Sequence, residues 1–382
     1  MITERFAPDI GGVARSAART AHAIGKLGIE THVVAWTKQL PPGQLETTVS
    51  GDNVVIHRLG LFANWDLSMQ HTINVLEWLH EEQQFDAVWG HYLNPAGFVA
   101  VLFAESQGIP STVSARGNDV DRAMFPPGDF ARLTWTLERA TSVSAVSADL
   151  ANKIRVLVGN DTNVSVIHNS VDTDEFSYAP PNAQLKSELE IGPPEAVIGF
   201  CGELRHKKGL PFILSALAEV RRSRPACLLV IGEVRPREQV QLTNYLAENP
   251  GCDGRVIVTG HLESTAEIVE RLRLCDVFLQ PSVWDGLPNA VLEAMACELV
   301  VIGSDAGGIP EAIEHERSGF VIPRAQLHRL GEACTELLDM PASRRREIGQ
   351  QARLRVEQHF HSEREADTLS RFLSELIPSF SS

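Results

Sequence analysis

Short apolar runs alternate with helix-patterned stretches along this chain, and the scheme is carried through twice. In the first half, "THVVAW", "NVVIHR", "FDAVWG", "STVSA", "TSVSAVS" and "VSVIH" have the β-branched and aromatic content of strands. Helical patterns lie between them. The clearest runs from Gly12 to Leu27, where Val13, Ala17, Ala21 and Ile24 recur at helical spacing and Gly28 supplies a stop. In the second half, "AVIGFCG", "ACLLVIG", "RVIVTG", "CDVFLQP" and "LVVIGSD" are near-continuous apolar runs, as strands covered on both faces require. This alternation builds parallel sheets with crossover helices, and such sheets bind ligands beyond the carboxyl ends of their strands.

At 382 residues the chain is too long for one ordinary core, so two domains are expected. The fold class read from the pattern is α/β, with two Rossmann-like, doubly wound parallel-sheet domains facing a central cleft. Residues 1–175 form the first, and the polar, proline-rich stretch 176–195 reads as a linker. Residues 196–361 form the second, and the amphipathic tail 362–382 reads as a helix packing back on the first. Only "MIT" precedes "ERFAPDIGG", so either the first strand is cut short or the start codon lies upstream.

A hydrophobic content of 43% with 22% charged residues belongs to a soluble globular protein. No run approaches the roughly 18 apolar residues of a membrane span, and the N-terminus lacks a signal peptide's apolar stretch. A cytoplasmic protein is expected, with at most peripheral membrane association. The net charge of −15 argues against whole-surface attraction to nucleic acid, while leaving room for a local basic cleft. All six cysteines follow residue 200 and form no CxxC pair, which reads as buried thiols in a reducing compartment.

One stretch carries a puzzle. "WDGLPNAVLEAMA" (284–296) ends in a helix apolar almost all round, yet Glu293 stands in its middle and Asp285 just ahead of its start. A charge buried there without a partner costs several kcal/mol. Pro288 suits the first helical position, leaving the N–H groups of Asn289, Ala290 and Val291 open to an anion. A nucleotide sugar fits all three features: diphosphate on the amides, a ribose diol on Glu293, a sugar hydroxyl on Asp285. The spacing equally allows Glu293 to pair with a buried arginine or amides and Asp285 to act as a cap.

The longer stretch "WDGLPNAVLEAMACELVVIGSDAGGIPEAIEHERSGFVIP" resembles the donor-site signature of the retaining GT-B glycosyltransferases of family GT4. In that family two acids flank seven residues. The resemblance makes Glu293 the ribose ligand and Asp285, where the family more often has Glu, the contact to the transferred sugar. It places Leu287, Asn289 and Ala290 at the donor. "FCGELRHKKGLPFIL" resembles the family's Gly-Arg-Leu…Lys-Gly segment, whose Arg and Lys neutralise the leaving diphosphate. Lys208 matches the lysine, but Glu203 stands at the arginine position, so Glu203 is expected to point away and Arg205 or Lys207 to supply the charge. "PDIGGVARSAART" resembles the glycine loop that opens the family's first helix, with Gly11 and Gly12 allowing close approach of a donor phosphate. A plain tight turn is the alternative there.

"GHYLNPAGF" and "SARGNDVDR" each follow a strand and should overhang a ligand. Where the family often has His-Gly, this chain has Arg116 followed by Gly117, Asn118 and Asp119. Arginine carries protons poorly and binds anions and hydroxyls well, so Arg116, Asn118 and Asp119 are assigned to sugar or acceptor binding. His91 is a further acceptor contact, or else a satisfied structural histidine. The triplets Asp119–Asp121 and Asp172–Asp174 mimic a metal-binding Asp-x-Asp but fall in segments already accounted for. No metal or resident cofactor is expected.

The resemblance thus implies a metal-independent, retaining enzyme that moves sugar from a nucleoside diphosphate to a sugar, lipid-linked or small-molecule acceptor. Lys208, Asp285 and Arg205 would carry catalysis. A nucleotide-sugar epimerase and a catalytically weakened binding homologue are the rival readings. A dehydrogenase is disfavoured because no GxGxxG opens a helix after a strand.

Overall fold

The strands form where the apolar runs lie, because a parallel strand is covered by crossover helices on both faces. The computed structural model describes residues 1–9, 11–159, 162–249 and 255–377. The chain divides into two units, Met1–Asn169 with Glu363–Ser382, and Ser170–Ser362.

The first unit holds β1 (Ile2–Thr3), β2 (Thr31–Thr37), β3 (Leu45–Ser50), β4 (Val54–Gly60), β5 (Val88–His91), β6 (Ser111–Ala115), β7 (Ser142–Ala145) and β8 (Val164–Val166). Their order among the described residues is β3-β4-β2-β1-β5-β6-β7-β8. Short β1 lies mid-sheet, with Ile2 opposite Val34 of β2 and Gly90 of β5. The chain winds outward from β1 in both directions, so the carboxyl ends of β1 and β5 form the switch point where such sheets bind ligands.

One strand departs from the all-parallel expectation. β3 pairs antiparallel with β4 at the sheet edge, after a turn in which Asp52 and Asn53 take positive φ. Its sequence, "LETTVS", is largely exposed, and an edge strand with one solvated face needs no continuous apolar run.

The second unit holds β9 (Ala196–Cys201), β10 (Ala226–Ile231), β11 (Val256–Val258), β12 (Val277–Gln280), β13 (Val301–Ser304) and β14 (Phe320–Ile322). They run in the order β11-β10-β9-β12-β13-β14, parallel throughout, with the switch between β9 and β12. Ile198, Phe200, Leu228, Val230 and Leu279 of this sheet pack with Ile213 and Leu217 of the helix Leu210–Arg221 and Leu337 of the helix Leu330–Asp339. Truncating one such leucine costs about 2–5 kcal/mol, so this core holds the strand ends and their loops firmly.

Residues 176–195, read from their prolines as a linker, are fastened to the second unit. Arg273 donates to the Ser177 carbonyl at 2.8 Å, Arg353 to that of Phe176 at 3.1 Å, and Asn182 to Glu270 at 3.2 Å. In the first unit, the helix Ser362–Leu376 lays Leu369, Phe372 and Leu373 against Ile24, Trp89 and Ile167. Arg19 meets Glu365 at 2.8 Å beside them. The last five residues of the tail, and Cys252, lie outside the described residues. Cys201, Cys227, Cys275, Cys297 and Cys334 are buried thiols. Among the described residues no helix is long and apolar enough to cross a membrane.

Candidate active site

In the second unit the loops that leave β9 and β12 meet. After β9 a tight turn, His206–Lys208, ends at Gly209, whose φ of +85° and close approach to Pro281 exclude a side chain: a Cβ there would strike the Pro281 carbonyl oxygen. Val283 N–H donates to the Lys207 carbonyl at 2.8 Å, closing the two loops on each other. Lys208 Nζ thereby forms an ion pair with Asp285 Oδ2. The same oxygen accepts from Ser282 Oγ at 3.0 Å, and Oδ1 accepts from Gly286 N–H at 3.2 Å. Burial pushes the Asp285 carboxyl up, but the charges of Lys208 and Lys207 and the hydrogen bonds from Lys208 and Ser282 outweigh it, leaving the group below its usual range.

The helix after this loop runs Asn289–Ala296, with Pro288 as an extended cap one residue ahead of the position expected for it. A proline has no N–H to contribute, and its carbonyl takes the Val291 N–H at 3.1 Å. Of the three amides expected to be open, Val291 is therefore engaged, and those of Asn289 and Ala290 remain at the helix end. Asn289 Oδ1 is buried with no hydrogen-bond partner among the described residues. Leu287 is buried, and Glu293 is 5% exposed within the otherwise apolar run Val291–Ala296.

Arg205 carries its guanidinium to Glu203, Nη1 to Oε2 at 3.2 Å, and Arg235 reaches the other oxygen of that acid at 3.3 Å. Glu203, the acid at the family's arginine position, is thus matched by two cations. Arg205 Nε is buried and has no hydrogen-bond partner among the described residues.

In the first unit the switch point gathers a different set. Gly11, with φ of +127°, precedes the helix Gly12–Lys26, and a Cβ at either glycine would meet open space. His91, at the end of β5, is fully buried, with Nε2 2.9 Å from Ser16 Oγ. Ser16 gives its one proton to the Val13 carbonyl at 3.0 Å, so His91 Nε2 must be the donor to Ser16. His91 Nδ1 is then a bare acceptor, buried without a partner among the described residues. Burial, with Arg116 and Arg19 nearby, drives the imidazole well below its usual range and keeps it neutral.

Asp119 spends its carboxylate on the loops, accepting from Leu93 N–H at 3.1 Å and Arg116 N–H at 3.0 Å. Burial outweighs these bonds and lifts its carboxyl to about 6. Asn118 opens the short helix Asn118–Ala123 and hydrogen-bonds Tyr92. Arg116 donates to Asn169 Oδ1, which Arg19 also reaches at 2.9 Å. Burial, then Arg19, lowers the Arg116 guanidinium to about 10.

Three residues at these sites carried no readable signal in the sequence. Glu4, directly after β1, is pushed up to about 7 by burial and then by Asp119. Gln280 and Ser282 stand behind Asp285, both fully buried. The acidic triplets gain no partners for a metal: among the described residues no group of three His, Cys, Asp or Glu side chains is arranged to hold one.

Known proteins resemble both units. A family model described as Glycosyltransferase Family 4 matches residues 10–175, and one described as Glycosyl transferases group 1 matches residues 195–340. N-acetyl-alpha-D-glucosaminyl L-malate synthase of Bacillus anthracis is 23% identical over 361 residues, spanning 94% of this chain and 92% of its own. Sucrose-phosphate synthase from Thermosynechococcus elongatus superposes with a TM-score of 0.82 at 16% identity, covering 99% of this chain and 96% of its own. Anabaena Alr3699/HepE, solved with UDP and glucose, gives 0.80 at 18% identity, covering 98% and 99%. The fold is that of the GT-B enzymes, and the chain belongs to family 4 of the group 1 glycosyl transferases.

Proposed function

We propose that this glycosyltransferase is a retaining one, which moves a sugar from a nucleoside diphosphate to an acceptor hydroxyl with the anomeric configuration kept. The observation that carries the reading is the Lys208–Asp285 pair at the second sheet's switch point, just ahead of a helix whose first amides are open. A diphosphate at that helix end takes the ammonium of Lys208 and the amides of Asn289 and Ala290. Arg205, through its unsatisfied Nε, and Lys207 add positive charge. Glu293 accepts from the ribose diol, Leu287 packs beside the donor, and Asp285 orients the sugar ring.

The bond from the anomeric carbon to the diphosphate oxygen breaks, and its electron pair leaves with the phosphate. The acceptor oxygen bonds to the anomeric carbon from the same face, and its proton passes to a donor phosphate oxygen. No enzyme nucleophile takes part. The protein's contribution is electrostatic, cations and amides already aimed at the charge that grows on the leaving group. In the first unit, the helix start at Gly11 and Gly12 meets phosphate, and the bare Nδ1 of His91 accepts from a hydroxyl. Arg116, Asn118 and Asp119 shape the acceptor's surroundings. The reaction needs no metal or resident cofactor on this reading.

Anabaena HepE has been solved with UDP-glucose, which makes that sugar nucleotide the first donor to try, followed by GDP- and ADP-sugars. Lys208→Ala and Glu293→Ala should each abolish transfer or weaken nucleotide binding at least about tenfold, near 1.4 kcal/mol, with the fold intact by circular dichroism. Unchanged turnover in both variants would refute the assignment.

A further inference from the structure

Behind Asp285 the second unit holds two polar side chains in series. Gln280, the last residue of β12, and Ser282 are both fully buried. Gln280 Nε2 lies 2.9 Å from Ser282 Oγ, and Ser282 Oγ lies 3.0 Å from Asp285 Oδ2, the oxygen that also receives Lys208. From β13, Ser304 Oγ donates to the Ser282 carbonyl at 2.6 Å and fixes the backbone of the middle member.

The direction of the chain follows from proton counting. A carboxylate only accepts, so the single hydroxyl proton of Ser282 goes to Asp285. Ser282 must then accept from Gln280, and the amide must turn its NH2 toward the serine. In that orientation Gln280 Oε1 is left buried with no hydrogen-bond partner among the described residues. Buried carbonyls are rarely left so. The amide could satisfy its oxygen by turning over if Ser282 were free to donate to it, and the carboxylate's claim on that proton prevents this. The series therefore runs one way, from amide to hydroxyl to carboxylate.

We infer that Gln280 and Ser282 are positioning residues that hold Asp285 in place when Lys208 turns from it to the donor's diphosphate. The inference rests on the donor-site reading of Lys208 and Asp285. Without a donor, Lys208 alone would suffice to anchor the acid. With one bound, the ammonium is shared with a more highly charged group, and Asp285 keeps only Ser282 Oγ, Gly286 N–H and the more distant charge of Lys207. An acid that followed the lysine, or took up a proton, would no longer orient the sugar.

The test is Ser282→Ala alongside Gln280→Met, which keeps the glutamine's length and removes its donor. Steady-state kinetics use the donor that wild type turns over, and UDP, GDP and ADP are titrated separately by calorimetry. Ser282→Ala should lower kcat about tenfold or more, leave donor KM and nucleoside diphosphate affinity within about twofold, and move the acid limb of the kcat–pH profile upward. Gln280→Met should shift the same two quantities in the same direction by less, and it carries the test if the alanine variant does not fold. A normal kcat with an unmoved acid limb overturns the positioning role. So does a parallel loss of nucleotide affinity, since that marks general damage to the loop. Lys208→Ala separates the two levels: if it also turns over normally, the donor-site reading fails, whereas its inactivity beside a fully active Ser282→Ala removes the relay alone.

Discussion

At the carboxyl end of the second sheet the buried acid, Asp285, has an ammonium against it, whereas at the first sheet Asp119 has backbone N–H donors against desolvation, and Glu4 has desolvation and the charge of Asp119. Both sites follow from one topology, a switch point between parallel strands, yet they shift their acids in opposite directions. Lys208 and Lys207 keep Asp285 ionised below its usual range, while Glu4 rises to about 7 and Asp119 to about 6. The fold supplies a place for ligands; the residues at the loop starts decide what charge that place accepts. A cationic loop suits a leaving diphosphate. Acids of raised pKa, a neutral imidazole and the guanidinium of Arg116 offer a mixed set of donors and acceptors suited to hydroxyl-bearing ligands.

The strongest break of this contrast comes from taking the cation away. Lys208 and Asp285 have side chains only 17% and 13% exposed, so Lys208→Met strands an acid in a largely dry loop. Removing one partner of a buried pair costs about 3–5 kcal/mol, much of which the double variant Lys208→Met/Asp285→Asn should regain. Equilibrium unfolding in urea reads both values. A single variant as stable as wild type would mean the pair contributes nothing to holding the loops together.

The next effect is smaller and lies in the first unit. A glutamate raised from 4.5 to about 7 binds a proton in the folded chain across a window where the unfolded chain does not. Its contribution to stability is therefore full at acid pH and falls as pH rises from about 4.5 through about 7. Glu4→Gln removes that falling limb. The variant's Tm should exceed wild type's by several degrees at pH 7.5 and by clearly less at pH 5, given the usual few degrees per kcal/mol for a domain of this size. His91 resists acid in both proteins, so its effect cancels in the difference. A Tm difference that does not change with pH would show that Glu4 titrates normally.

What the sequence revealed of these two regions follows the reach of the forces involved. The second sheet was legible because parallel strands buried on both faces need unbroken apolar runs, and "ACLLVIG" or "LVVIGSD" admits little else. β3 was not, since "LETTVS" is an exposed edge strand held by its turn and by pairing rather than by burial. Asp285, Asn289 and Glu293 could be read together because one loop and one helix carry them. Placing Pro288 one residue too far into that helix is the boundary uncertainty to be expected where a cap, not a pattern, sets the start. Lys208 is 77 residues from Asp285, and in the sequence only the family resemblance joins them. Gln280 and Ser282 sit in "FLQPSV", which reads as a strand running out, and their role depends on an orientation that periodicity does not encode. Glu4 was silent for the same reason: its burial and its neighbour Asp119 are products of the finished sheet.

The smallest expected effect is no effect at all, and it probes the cationic side of the contrast. If side chains and helix amides carry the charge of the departing diphosphate, a divalent cation is not needed there. A metal at that position would have to compete with the ammonium of Lys208 for Asp285, whose two oxygens also accept from Ser282 and Gly286. Glu203 is likewise committed to Arg205 and Arg235. Transfer rates in excess EDTA, and again after adding back magnesium or manganese, should therefore agree within about twofold, well below the tenfold that 1.4 kcal/mol of lost charge stabilisation would produce. A collapse in EDTA that magnesium restores would shift the burden of neutralising the leaving group from Lys208, Lys207 and Arg205 to an ion, and with it the account of why the two crevices differ.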